Sequence, residues 1–191
     1  MTRMGRALAS RRAPVGLIVI VVTLSLLAGF SPANSLVWQR DALREGEYWR
    51  MFSAHLVHLS PRHLVINALG LWLVNGLICE TLGSAQWISL FVVSALGISL
   101  SLWLLHPQLQ WYAGLSGVLH GLWSGGAAYR WIIERKNVFL LALLALFARL
   151  MIGAQVSNEF PVIAEAHWYG ALSGLLWLAL ARMHERLRVF D

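Results

Sequence analysis

Charge is scarce in this chain and cysteine is almost missing. Only 13% of its 191 residues are charged, 9 of them Asp or Glu and 15 Lys or Arg, against 58% hydrophobic residues. So little charge, with a mean hydropathy of +0.64, excludes an ordinary soluble globular domain and points to an integral membrane protein. One cysteine, Cys79, excludes an internal disulfide and any multi-cysteine metal site. Its expected place at the inner end of a span makes it a small buried hydrophobe. There is no internal repeat, no low-complexity tract and no sign of a second domain.

Six apolar runs are present, at about 13–30, 62–79, 86–105, 115–133, 138–154 and 162–181. Each is near the ~20 residues that cross ~30 Å of hydrocarbon. The predicted fold is therefore all-α: a six-helix membrane domain over 13–182, with a basic N-terminal segment 1–12 and a basic tail 183–191. The first run follows Arg3, Arg6, Arg11 and Arg12, so a cleaved signal peptide competes for it, but five further spans argue for retention. With the N-terminus inside, the cytoplasmic face collects those four arginines, then Arg130, Arg135 and Lys136, then Arg182, Arg186 and Arg188. The outer face holds Arg40, Arg44, Arg50, Arg62 and Arg149. That imbalance places both termini in the cytoplasm. It also accounts for the formal charge of +6 without nucleic acid as a partner.

The segment 31–61 mixes charges with Trp38, Tyr48, Trp49 and Phe52, which suits an element lying at the membrane interface. Short connections at about 80–85 and 134–137 make sequential helices antiparallel neighbours. The segment 106–114, HPQLQWYAG, has few charges and could dip below the outer surface where protein surrounds it.

Spans two, four and six all run inward in this topology, so the polar residues of their first turns share one layer near the outer face. Span two brings His63 and Asn67, span four Ser116 and His120, span six Glu165 and His167. His63 and Asn67 are spaced i, i+4 and share a helix face, as do Ser116 and His120. Gly117, Gly121 and Gly125 form a small-residue stripe on span four, and Gly170 and Gly174 follow His167 on its own face. Small residues so spaced let membrane helices approach closely, so spans four and six are expected to touch with Ser116 and His167 at the same end.

Each of these residues has an ordinary structural reading. A serine in a membrane helix often bonds the carbonyl at i−4, and a histidine or asparagine can simply tie helices together. Their convergence in one costly layer favours chemistry. Ser and His in hydrogen-bond reach make a nucleophile and general base. His63, Asn67 and the Ser116 backbone N–H can serve a developing oxyanion. Gly114 and Gly117 permit the tight turn and the close substrate approach that such a nucleophile needs. Glu165, two residues from His167, points away from it. His55, His58 and His63 raise a metal reading, but neither a carboxylate partner nor an H-E-x-x-H motif accompanies them. A proton relay would need polar residues through to the inner face, whereas the spans turn apolar there, as in Leu71-Trp72-Leu73-Val74.

These residues resemble the rhomboid family of intramembrane serine proteases. The matching features are Gly114-x-Ser116-Gly117, Ala166-His167 with Gly170, His58-x4-His63-x3-Asn67 and Tyr48-Trp49-Arg50-Met51-Phe52, in family order over residues 48–174. The resemblance implies a six-helix bundle with Ser116 as nucleophile, His167 as base, and His63 and Asn67 in the oxyanion hole. It further implies no cofactor, a gate built from span five and the loop at about 153–163, and single-span membrane proteins as substrates, cut near the outer interface. A non-catalytic, client-binding relative is the alternative, and loss of Ser116 or His167 would have been its sign.

One departure is His120, where many rhomboids carry an aromatic residue four after the serine. Gly-Leu-Ser-Gly-Val-Leu-His-Gly is similar to the rhombosortase branch, which implies processing of C-terminal Gly-Gly sorting tails at a bacterial inner membrane. His120 could stack on His167 or titrate with it. A titrating pair predicts that activity falls at low pH in a way that His120→Tyr does not reproduce, and identical pH profiles for the two would exclude coupling.

Overall fold

The computed structural model describes residues 3–31, 33–78, 81–153 and 164–187. Cys79, most of the loop at about 153–163 and the last four residues lie outside the described residues. Six long helices are present: α1 (Arg3–Ala28), α4 (Pro61–Ile78), α5 (Ser84–Leu105), α6 (Ser116–Glu134), α7 (Asn137–Gly153) and α8 (Ala164–Leu187). Between α1 and α4 lie β1 (Trp38–Gln39), the short helices α2 (Arg40–Arg44) and α3 (Arg50–Ser53), and a 3-10 turn at Ala54–Leu56. A second short strand, β2 (Trp111–Tyr112), precedes α6. The expected runs match the helices to within three residues at most ends. Two differ more: α1 begins ten residues early, and α8 extends six residues past the apolar run into its basic end. Hydrogen bonding carries a helix beyond the stretch whose apolarity announces it.

The hydropathy is unevenly divided. Among the described residues only Ser84–Leu105 is by itself long and apolar enough to cross a membrane, and Val15–Ala28 and Asn137–Ile152 are shorter apolar stretches. The remaining long helices are diluted by the polar and small residues they turn inward. Asn67 on α4, Ser124 on α6 and Ser173 on α8 are buried, while Leu69, Trp72 and Leu73 of α4, Leu141 and Leu144 of α7, and Leu172 and Leu176 of α8 face outward. Large apolar side chains around the outside, with serine and asparagine turned inward among the leucines of the core, suit a molecule whose solvent is hydrocarbon.

α6 is the central helix, packing on α4, α5, α7 and most extensively on α8. Glycines make that last contact. A Cβ on Gly170 would collide with the Gly117 carbonyl, and one on Gly174 with the Gly121 carbonyl, so the two backbones lie directly against each other. Ser124 adds an interhelical hydrogen bond, its hydroxyl donating to the Ala171 carbonyl at 2.7 Å.

The segment between α1 and α4 is anchored by two arginines. β1 pairs antiparallel with β2, Trp38 opposite Tyr112 and Gln39 opposite Trp111. Arg40, only 4% exposed, donates to the carbonyls of Leu102, Trp103 and His106 at the end of α5 and to that of Leu109. Its guanidinium lies 5.2 Å from the Trp38 ring and 4.8 Å from that of Trp103. One cation thus serves the Trp103 and Leu109 carbonyls, adds a second donor to those of Leu102 and His106, which also accept backbone N–H groups, and neutralises the partial negative charge of the helix end. Arg50 ties α3 back to the preceding loop through the Asn34 and Val37 carbonyls and pairs with Glu47 at 2.6 Å.

Replacing Arg40 by Met removes the charge-assisted hydrogen bonds to these carbonyls, so thermal unfolding in detergent should show a loss of roughly 2–3 kcal/mol. Arg40→Lys, which cannot reach the same set of carbonyls with one planar fork, should restore only part of it.

Candidate active site

Ser116 is the first residue of α6, held there by a strained approach. Gly114 takes φ of +124°, a conformation that L side chains rarely adopt. A Cβ at Gly114 would also sit 2.6 Å from Cε1 of His63. The Gly114 N–H donates to the Ala54 carbonyl at 2.9 Å, which ties the turn to the segment between α1 and α4. Its carbonyl accepts from the buried Tyr112 hydroxyl at 3.1 Å. Burial pushes the Tyr112 phenol pKa up, so the group donates as a neutral hydroxyl.

The Ser116 side chain does not bond back into its own helix. Its Oγ lies 2.9 Å from Nε2 of His167, in the first turn of α8. The expected contact between the fourth and sixth long helices therefore exists, with serine and histidine at the same end of it. His120, one turn along α6, has its Nδ1 2.7 Å from the Ser116 carbonyl. A carbonyl can only accept, so this nitrogen carries the proton. The ring stacks on that of His167 with centroids 4.3 Å apart and planes at 19°. Of the two roles considered for His120, stacking is the one the geometry displays.

His63 and Asn67 stand across a cavity of about 700 Å³ that both line together with Ser116, His120 and His167. Asn67 is more committed than its sequence position suggests, because its Nδ2 donates to the His63 carbonyl at 3.0 Å. An amide nitrogen has two hydrogens, so one remains for another acceptor. His55 and His58 do not join the layer. His55 Nε2 is 3.0 Å from the Ser99 hydroxyl, which itself donates to the Met51 carbonyl. His58 Nδ1 is 3.0 Å from the Ser25 hydroxyl, and the His58 ring meets His63 edge-on at 4.9 Å. Among the described residues no group of three or more His, Cys, Asp or Glu is placed to hold a metal ion. Glu165 is exposed and does not line the cavity. Arg149 of α7 does line it. Sequence reading had used that residue only to count charges, although a lone arginine in an apolar helix was itself a signal.

A hydroxyl facing an imidazole nitrogen, beside a cavity offering N–H donors, is competent for nucleophilic attack on a carbonyl. Comparison with known proteins shows the family. The rhomboid domain matches residues 45–184, well over half of the chain. The chain belongs to the rhomboid family. Its relatives include the rhomboid protease GlpG of Salmonella paratyphi A and that of Salmonella typhi, each 29% identical over 183 residues, covering 90% of this chain and 62% of the relative. The GlpG of Klebsiella pneumoniae is 29% identical over 178 residues, 89% of this chain and 62% of its own length. This chain thus spans about 62% of the length of these curated relatives. Membership of the rhomboid family makes it an integral membrane protein.

The glycine contact sets the distance between serine and histidine. Gly170→Ala forces α8 away from the Gly117 carbonyl. Unfolding measurements should show a loss of about 1–3 kcal/mol, well beyond that of Gly76→Ala, where a Cβ meets nothing within 4 Å.

Proposed function

We propose that this rhomboid is an intramembrane serine protease in which Ser116 is the nucleophile and His167 the general base. The observation carrying this reading is the 2.9 Å approach of His167 Nε2 to Ser116 Oγ. Nε2 takes the hydroxyl proton as Oγ attacks the substrate carbonyl, and the imidazolium passes it to the leaving amine. Water, activated by the same nitrogen, then releases the acyl group. The Ser116 backbone N–H, the His63 ring and the second Asn67 N–H hold the oxyanion. Stacking on His120, whose own ring is fixed by the Ser116 carbonyl, holds the base flat in place of a third, carboxylate member. No cofactor enters these steps.

The finer reading follows the resemblance. All six long helices cross the membrane, with both termini in the cytoplasm of a bacterial cell and the site open to the periplasmic side. Substrates are single-span membrane proteins, and Gly114-Leu-Ser-Gly-Val-Leu-His-Gly121 favours those bearing a C-terminal Gly-Gly sorting tail. Residues without Cβ atoms suit a nucleophile hemmed in by Gly114, His63 and His120.

Labelling with a fluorophosphonate in native membranes tests the assignment. Wild type should label, and Ser116→Ala and His167→Ala should not, with cleavage of a Gly-Gly-tailed single-span reporter falling at least about a hundredfold in both. A folded wild-type protein that neither labels nor cuts would replace this reading with a client-binding role.

A further inference from the structure

Arginines from two helices, α4 and α7, line the cavity beside Ser116. The described residues lining it include two arginines, Arg62 and Arg149, and no carboxylate. Arg149 is the lone charged residue of α7, whose sequence NVFLLALLALFARLMIG is otherwise suited to lipid. It makes no hydrogen bond or ion pair with another described residue, whereas Arg40, Arg50, Arg130 and Arg182 all do. A cation in an apolar membrane helix with no hydrogen-bond or ion-pair partner among the described residues is costly and marks a functional position. Arg149 lines the same cavity as the rings of His120 and His167. A positive charge there opposes the imidazolium that His167 becomes on taking the serine proton. An anion brought by the substrate would remove that opposition.

We propose that Arg149 is a specificity-determining residue that pairs with an acidic side chain of the substrate next to the scissile bond. This rests on the protease reading above. The planar guanidinium accepts a carboxylate through two parallel hydrogen bonds, and the apolar surroundings strengthen the pair. A peptide carboxylate fits better than a lipid headgroup because Arg149 shares its cavity with the nucleophile and both imidazoles, where the substrate backbone must lie. Selection therefore acts on the chemical step as well as on binding. A substrate with an uncharged residue at that position leaves the arginine unpaired beside the forming imidazolium.

The test uses the full chain in phosphatidylcholine vesicles with a single-span reporter whose cut site is located by mass spectrometry. Asp, Asn or Lys is placed singly at each of the four positions on either side of that site. Wild type should favour Asp over Asn at one position by about tenfold in kcat/KM. Arg149→Ala should lose this preference, Arg149→Lys should keep most of it, and Arg149→Glu should favour Lys instead. Fluorophosphonate labelling of Ser116 confirms that each variant is folded, and Arg149→Gln replaces Arg149→Ala if the latter does not label. Equal cleavage of Asp and Asn reporters by wild type at every position overturns the proposal, as does a preference that survives in Arg149→Ala. Cleavage that rises with added phosphatidylglycerol only when Arg149 is present, without any Asp preference, assigns the residue to lipid and also overturns it. Wild type that neither labels nor cuts any reporter defeats the protease reading itself. Wild type that labels and cuts all reporters alike defeats only the selectivity.

Discussion

Everything at the proposed site depends on the direct contact of two helix backbones. α6 and α8 meet through Gly117, Gly121, Gly170 and Gly174, where no Cβ could fit between one helix and the carbonyls of the other. In hydrocarbon, apolar side chains gain little by leaving lipid for protein, so close packing and interhelical hydrogen bonds must supply the association. The Ser124 bond to the Ala171 carbonyl is one such contribution, set between the glycine pairs. Once the backbones touch, the first turns of the two helices are brought level, and Ser116 and His167 have little choice of separation.

The second requirement is that α6 begin at Ser116 and not a turn earlier or later. The segment between α5 and α6 is irregular, and its backbone groups need partners that lipid cannot provide. Arg40 gathers the carbonyls at the end of α5, the β1–β2 ladder catches Trp111 and Tyr112, and Ala54 receives the Gly114 N–H. The charged and aromatic residues between α1 and α4 are thus the frame on which the serine-bearing turn is built. Arg40 and Arg50 are accordingly buried in so apolar a chain, while Asp41, Arg44 and Glu45 of the same segment stay exposed.

Much of this was legible in the sequence because membrane helices leave few options. Apolar run length located the six long helices, alternation of direction put His63, Ser116 and His167 in one layer, and glycine spacing paired α6 with α8. Arg40 was not legible in its true role. It was counted as an outer-face charge, because nothing local distinguishes an arginine that returns to cap a helix more than sixty residues later. The same limit applies to His55 and His58, whose spacing suggested ligands but whose partners, Ser99 and Ser25, come from distant helices. Local periodicity reports which face a residue occupies, whereas these partners are set by how separate helices pack.

Three short contacts around His120 form a closed figure. Its Nδ1 holds the Ser116 carbonyl, its face covers His167, and His167 returns to the Ser116 hydroxyl. A triangle of links is rigid where an open chain of two would hinge, since moving any corner strains both other sides. The proposed site is thus a small truss, with its serine and imidazole aligned by the fold itself. On the protease reading, folding supplies that alignment once, so no reorientation of the two has to be repeated in each turnover.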